Sequence, residues 1–475
     1  MNRLASLDTA FDPASVAIAG VGPETTGKCF LESLLDSGFK GKIYPLHPRG
    51  GEISGLKIYR NVKDIPEPVD YVISCVPARL VPQLIKDCAE KGAKVMSLFT
   101  AGFSENGTEE GRQLEAEICH LAEAGGLRLI GPNCMGVYSP KAGLSFVSDF
   151  PRESGGVALV CQSGGNTIYF VRLAAERGVR FSKVISYGNA SDVDESDLFE
   201  YLAHDAETEI VAAYIEGIKD GGRFYQVLSE LSAEKPVVVL KGGYTQAGAR
   251  TAASHTGALA GSNEVFDSLL QQTGALRVYT LEELVDTVVT FLFLPLPKGR
   301  RVAMVGGGGG ASVLATDACA ANGFLLPPIP PLLEDQMRRF VNGQVGLILN
   351  NPIELNMSDE ASYNMASTWL ANDAADLLLG NCVFGQQPWP LFEAWYDNFC
   401  DTLLKVHADV DKPMGVVIQT DLPSEEQHFL ALQQRYVEAG LPVYHSMSGA
   451  CQAIDRFLRY HKKRSLPQRK VAETA

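Results

Sequence analysis

The sequence predicts an α/β protein built of three consecutive doubly wound domains. The first reason is a start that appears three times. Val16-Ala17-Ile18-Ala19 runs into Gly20-Val21-Gly22, Val157-Ala158-Leu159-Val160 into Gln162-Ser163-Gly164-Gly165, and Val302-Ala303-Met304-Val305 into Gly306 to Gly310. Each is a short apolar run that ends in glycines and precedes a helical pattern. The second reason is spacing, since the starts lie about 140 residues apart, the size of one α/β domain. The third is that near-continuous apolar runs alternate with helical patterns, as in parallel sheets covered on both faces.

Each element follows from local signals. In the first domain, expected over 1–140, Phe30/Leu31 and Leu34/Leu35 recur at helical spacing, and Gly38 stands where a left-handed stop residue is needed. Tyr71–Val76 and Val95–Phe99 read as buried strands, and the stretch Pro140 to Ser154 breaks the periodicity. In the second domain, over 152–296, Ile168, Val171 and Ala175 mark a helix closed by Arg177 and Gly178. Ile210–Ile215 and Val237–Leu240 are its further strands, and Leu294 to Gly299 ends it. In the third, over 299–461, Gly323 stops the first helix and Val416–Ile418 is a strand. Residues 462–475 are expected to form a flexible tail.

Composition narrows the functional classes. The chain has 475 residues and a net charge of −15, which argues against a nucleic-acid or anionic-membrane binder, since either needs a broad basic face. Ten cysteines include no CxxC pair and no Cys/His cluster at ligand spacing, so no metal site is expected. Met1 to Ala10 lacks an apolar signal core, and Val285 to Pro297 is too short to span a bilayer. A cytoplasmic protein is expected.

The first glycine loop suggests a nucleotide pocket. Gly20 and Gly22 begin a dinucleotide fingerprint whose third glycine is displaced to Gly27. Pro23, Thr25, Thr26 and Lys28 add hydroxyls and a charge where helix N–H groups face a ligand. The second strand ends in Pro48-Arg49, without the acid that holds an NAD ribose. Arg49, with Lys42 nearby, instead suits a phosphorylated ribose, as in NADP or the 3′-phosphate of coenzyme A. Cys75-Val76-Pro77 and Thr100-Ala101-Gly102 would line the same crevice.

The second domain carries the sharpest chemical signal, Ser254-His255-Thr256-Gly257-Ala258-Leu259-Ala260-Gly261. A histidine bedded in hydroxyls and glycines, without a neighbouring metal ligand, fits a nucleophile toward phosphorus. Glu216, at a strand end, is the candidate partner for its second ring nitrogen. Ser163, Gly164 and Gly165, at a helix start, are the candidate anion cradle. Together these residues describe phosphoryl transfer through a histidine.

At this point the sequence resembles a known family. Segment 254–261 resembles the phosphohistidine motif of the ADP-forming acyl-CoA synthetases, relatives of succinyl-CoA synthetase. So do Gln162-Ser163-Gly164, Ile130-Gly131-Pro132-Asn133-Cys134-Met135-Gly136, Gly188-Asn189-Ala190-Ser191-Asp192-Val193-Asp194 and Lys235-Pro236-Val237-Val238-Val239-Leu240-Lys241. The likeness runs in order from about residue 11 to about residue 460 and implies a Rossmann-like CoA-binding domain followed by two flavodoxin-like ligase domains.

It also implies a reaction in which acyl-CoA, phosphate and ADP interconvert with carboxylic acid, CoA and ATP through an acyl phosphate. By motif, His255 would be the phosphorylated residue and Glu216 its support. Ser163, Gly164, Gly165 and Asn133 would serve the phosphate, with Asn133 in the loop expected near the CoA thiol. The loops at Gly20 to Lys28, Pro48-Arg49, Cys75 to Pro77 and Thr100 to Gly102 would hold CoA.

No stretch reads as the family's ATP-grasp module. The resemblance therefore implies an α-type subunit in an αβ hetero-oligomer, with ADP/ATP and Mg2+ mostly on a β-type partner. Three departures stand out: the glycine run Gly306 to Gly310, read as a strained turn; Tyr169 and Phe170 after the anion loop, read as altering the acyl pocket; and Val21-Gly22-Pro23-Glu24 in the first loop. The competing readings are a CoA-binding regulatory or scaffold subunit and an NADP-dependent oxidoreductase.

Overall fold

The first apolar run forms a fully buried strand, β1 (Ser15–Ala19), preceded by a short helix, α1 (Arg3–Phe11). The structure is a computed structural model and describes residues 3–248, 250–251, 262–306, 308–340, 349–354, 359–384, 393–420 and 423–465. After β1 the chain enters α2 (Thr26–Ser37), which buries Phe30, Leu31 and Leu34 on one face and stops at Gly38 with φ 75°. Next come β2 (Lys42–Leu46), the antiparallel hairpin β3 (Gly51–Ile53) and β4 (Leu56–Ile58), and β5 (Tyr71–Ser74). Helix α3 (Val81–Lys91) leads to β6 (Val95–Leu98), and α4 (Glu109–Gly125) to β7 (Arg128–Ile130). The sheet order is β2-β1-β5-β6-β7, all parallel. The order reverses between β1 and β5, so the carboxyl ends of those strands open a crevice.

The second sheet begins inside the expected first domain. Residues 136–138 form β8 (Gly136–Tyr138), which pairs antiparallel with β10 (Phe181–Ser186). A three-residue edge strand is too short to show a period, and only its pairing reveals which sheet it joins. The parallel members are β9 (Ser154–Cys161), β10, β11 (Ile210–Ile215), β12 (Val237–Lys241) and β13 (Leu276–Val278). Their spatial order is β13-β12-β11-β9-β10-β8. Helix α5 (Gly164–Glu176) follows β9, α6 (Glu195–His204) follows β10, and α7 (Gly221–Glu234) follows β11.

Both sheets lie in one compact unit, residues Met1–Ala175 and Val179–Leu284. Hydrogen bonds stitch them together around the loop 131–135. Asn189 N–H donates to the Pro132 carbonyl at 3.0 Å, and Met135 N–H to Ser186 Oγ at 3.1 Å. The Arg128 guanidinium joins Asp192 at 2.9 Å and Asp197 at 2.7 Å.

The other unit holds a four-stranded parallel sheet: β14 (Val302–Gly306), β15 (Leu377–Val383), β16 (Met414–Gln419) and β17 (Val443–Tyr444), adjacent in that order. Alternate residues bury opposite faces, as a doubly wound sheet requires. Met304, Leu377 and Leu379 pack with Cys319 and Ile454, whereas Ala303, Leu378 and Val416 pack with Trp369 and Leu403. Gly306 turns the chain after β14 at φ 96°, and a Cβ there would lie 2.5 Å from the Asn381 carbonyl oxygen. Among the described residues no helix is long and apolar enough to cross a membrane, and no cluster of three or more His, Cys, Asp or Glu could hold a metal ion.

Candidate functional site

The first loop is shaped by contacts that only glycine permits. Gly20 has φ 95°, and a Cβ there would lie 2.9 Å from the Cys75 carbonyl oxygen, so the loops after β1 and β5 meet backbone to backbone. A Cβ on Gly27 would lie 2.6 Å from the Gly20 carbonyl oxygen. Gly27 thus lets α2 pack closely on the loop, the task of the third glycine in a dinucleotide fingerprint. Thr25 closes the turn: Oγ1 accepts from Gly22 N–H at 2.8 Å and donates to the Gly20 carbonyl at 2.7 Å. Lys28 faces Glu32 one turn on, at 3.4 Å.

Pro48 and Arg49 are exposed beyond the carboxyl end of β2. Lys42, expected beside Arg49, stands at the other end of that strand. It pairs in register with Ser15 at the start of β1 and forms an ion pair with Glu67. The five residues of β2 rise about 3.3 Å each, so one ligand edge does not gather both cations.

The loops after β5 and β6 hold each other. Thr100 Oγ1 donates to the Val76 carbonyl at 2.8 Å. Gly102, at φ 110°, donates its N–H to Glu105 Oε1 at 2.6 Å. Burial pushes the Cys75 thiol up to about 12, so it is not a ready thiolate.

On the second sheet, β9 delivers Gln162 and Ser163 to the start of α5. Gln162 Oε1 accepts from the N–H groups of Glu216 and Gly217, which ties this loop to the end of β11. Ser163 Oγ accepts from Asn166 N–H at 3.3 Å, in the manner of a helix cap. Glu216 is buried, and its carbonyl accepts from Lys241 Nζ at 2.6 Å. Burial, reinforced by Arg277, lowers the Lys241 pKa, while the charge of Glu216 opposes the shift. The Tyr214 hydroxyl hydrogen-bonds the Glu216 side chain, and burial together with that carboxylate's charge raises its pKa.

These loops surround one cavity of ≈ 620 Å³. From the first sheet come Thr26, Cys75, Val76 and Pro77, then Phe99, Thr100 and Ala101. Asn133, Cys134 and Met135 line it from the loop between the sheets. The second sheet supplies Gln162, Ser163, Gly164, Gly165 and Ile168, with Gly188 and Asn189. No described lining residue is charged, so an anion here would rely on N–H groups, hydroxyls and amides. The two glycines of α5 differ. A Cβ on Gly164 would lie 3.0 Å from Met135 Cγ, whereas one on Gly165 would meet nothing within 4 Å among the described residues. Open space over the first turn of a helix suits an anion of phosphate size.

Ten of the expected residues therefore meet in one place: Thr26, Cys75 to Pro77, Thr100, Ala101, Asn133 and Ser163 to Gly165. Gly20, Gly22, Pro23, Thr25, Gly27 and Lys28 do not line the cavity, and neither do Pro48, Arg49, Gly102 and Glu216. His255 lies outside the described residues, with all of Ser254 to Gly261.

The reading of α5 shifts in register. Its buried stripe is Thr167, Phe170, Val171 and Ala174, so Phe170 packs in the core, near Phe181. Tyr169 is exposed and reaches Glu282 Oε1 at 3.2 Å. Neither residue lines the cavity; the helix presents Ile168 there instead, because successive residues turn by about 100°.

A second feature was not legible beforehand. Asn189 Nδ2 donates to Glu105 Oε2 at 2.7 Å and to Glu115 Oε2 at 2.9 Å, bracing the Thr100 to Gly102 loop against the second sheet. Gly188-Asn189 belongs to the motif Gly188 to Asp194, but nothing in the sequence marks Glu105 or Glu115.

Comparison with known proteins agrees with this geometry. Residues 14–140 match the CoA binding domain family, 154–291 the succinyl-CoA ligase like flavodoxin domain, and 302–382 the ligase-CoA domain. The chain is similar to acetate–CoA ligase [ADP-forming] II subunit alpha of Pyrococcus furiosus, at 38% identity over 79% of this chain and 82% of that one. It is also similar to acetate–CoA ligase [ADP-forming] II of Archaeoglobus fulgidus, at 32% identity over 96% of this chain and 67% of the relative. Among solved structures, the dinucleotide-forming acetyl-coenzyme A synthetase 1 of Ca. Korarchaeum cryptofilum, in complex with phosphate and ADP, superposes with TM-score 0.80. That match has 31% identity and covers 98% of this chain and 99% of the other. The chain belongs to the ADP-forming acyl-CoA synthetase family, as an α-subunit-like member related to the succinyl-CoA ligases.

Proposed function

We propose that this chain is the CoA-binding, phosphoryl-carrying subunit of an ADP-forming acid–CoA ligase. It would interconvert acyl-CoA, phosphate and ADP with carboxylic acid, CoA and ATP. The observation that carries the reading is the single cavity: loops suited to CoA from the first sheet and an uncharged cradle from the second open into the same ≈ 620 Å³.

Phosphate would sit at Ser163, Gly164 and Gly165, where helix N–H groups stabilise an anion by ~0.3–1 kcal/mol at exposed sites and up to ~2 when partly buried. The thioester would enter along Val76, Thr100 and Asn133. A phosphate oxygen then bonds to the carbonyl carbon as the carbon–sulfur bond breaks, releasing CoA thiolate and leaving an acyl phosphate. The imidazole of His255 takes the phosphoryl group, freeing the carboxylate, and passes it to ADP. Glu216 is proposed to hold the imidazole in orientation; the short chain of contacts Lys241–Glu216–Gln162 fixes the backbone from which it projects.

The ATP-grasp module, with ADP/ATP and magnesium, is proposed to lie on a second chain. Relatives similar to this chain over about four-fifths of their own length are named as alpha subunits, which supports that arrangement.

The test uses this chain with its ATP-grasp partner, labelled ATP and magnesium. Expected is an acid-labile, base-stable phosphate on His255. H255N should abolish label and turnover while CoA affinity stays within a few fold. Acyl-CoA formation by that variant would exclude the phosphohistidine route.

A further inference from the structure

We propose that Met135 sets the length of acyl chain that the site accepts. The proposal rests on the ligase reading above and assigns a specificity role within that site.

The acyl carbon must lie where the CoA loops and the anion cradle come closest. One side chain from the loop between the sheets reaches over that cradle. Met135 Cγ lies 3.0 Å, and its Sδ 3.6 Å, from where a Gly164 Cβ would stand. Its backbone is pinned, since Met135 N–H donates to Ser186 Oγ at 3.1 Å and the neighbouring Asn133 N–H donates to the Thr100 carbonyl at 3.0 Å. The side chain therefore projects from a fixed point into the cavity. Ile168, four residues and about one turn after Gly164, lines the cavity from α5.

An acyl group attached to a thioester beside the cradle is thus met by two apolar side chains, one straight and one β-branched. Methionine fills such a gap adaptably and still excludes the volume that it occupies. No described lining residue is charged, so this wall selects by size and not by ion pairing. One methylene in an apolar pocket changes discrimination by about 10–200-fold. A side chain of three heavy atoms beyond Cβ is enough to separate acids that differ by several carbons.

The experiment titrates this chain, assembled with its ATP-grasp partner, with CoA, acetyl-CoA and hexanoyl-CoA by calorimetry, for the wild type, M135A and M135L. In the wild type, acetyl-CoA should bind within about threefold of CoA and hexanoyl-CoA at least about tenfold more weakly. M135A should bring hexanoyl-CoA to within a few fold of acetyl-CoA. M135L, of similar volume, should keep the wild-type ratio, which separates lost volume from a damaged fold. Equal weakening of all three ligands by M135A, or no length discrimination in the wild type, overturns the proposal. Failure of the wild type to bind CoA at all overturns the ligase reading and this proposal with it.

Discussion

Gly164 and Gly165 show how neighbouring glycines can serve different ends. At Gly164 the protein itself claims the space, through Met135. At Gly165 no atom of the described residues does, within 4 Å of where a Cβ would stand. Replacing Gly165 by alanine should therefore change folding stability by less than about 0.5 kcal/mol, in line with substitutions away from packed features. Phosphate-dependent turnover should nevertheless fall by at least about tenfold, because the added methyl occupies the cradle. Calorimetric melting together with phosphate-dependent kinetics checks both halves, and unchanged kinetics would place the phosphate elsewhere. Both glycines were visible in the sequence, yet which one is open depends on Met135, 29 residues earlier in the chain.

At the scale of elements, the loops are held by bonds between segments remote in sequence. Glu105 is the clearest case. It sits in a one-turn 3-10 helix, Ser104–Asn106, accepts from Gly102 and Phe103 N–H groups, and accepts from Asn189 Nδ2 across the two sheets. Burial works to raise its pKa, but the Asn189 and backbone hydrogen bonds outweigh this and hold it below the ordinary carboxylate range. A depressed carboxylate stabilises the fold above its unfolded pKa of about 4.3 and loses that contribution as pH falls through the lower folded value. Acidification to below about pH 4 should thus loosen the Thr100 to Gly102 loop before β6. Hydrogen exchange at Gly102 and Phe103 should accelerate there, and E105Q should reproduce the loss near neutral pH. Exchange in E105Q equal to wild type would show that the brace is idle.

For the whole first unit, a buried acid ties stability to pH near neutrality. Glu195, at the start of α6, is 2% exposed, and its Oε1 has no hydrogen-bond partner among the described residues. Burial pushes its pKa up to about 7, with Asp194 adding to the rise and Lys219 opposing it. A raised carboxyl favours folding below its unfolded pKa, and that advantage is lost as pH climbs through about 7. The shift corresponds to roughly 3 kcal/mol at most, so E195Q should be more stable than wild type at pH 8 by an amount of that order and nearly equal below the unfolded pKa, at about pH 3.5. Melting curves at the two pH values check it, and the same difference at both would remove ionisation as the cause.

Much of this molecule was open to reading before it folded. Strand runs and glycine stops are local, because β-branched runs and left-handed caps act within a few residues. They placed the first parallel strand of each of the three sheets, the stop at Gly38 and ten residues of the cavity. The loop at Ser163 to Gly165 was equally readable as a strand-to-helix turn, since a strand, a Ser-Gly-Gly and a helix are contiguous. What tertiary structure alone decided were relations across chain distance. It assigned the short strand 136–138 to the second sheet, separated Lys42 from Arg49 along one strand, and turned Phe170 inward while Ile168 faced the cavity. It also joined Glu105 to Asn189. The physical reason is common to all four: periodicity and propensity are set by near neighbours, whereas pairing register, helix rotation and the direction of a buried hydrogen bond are set by whatever the rest of the chain packs against them.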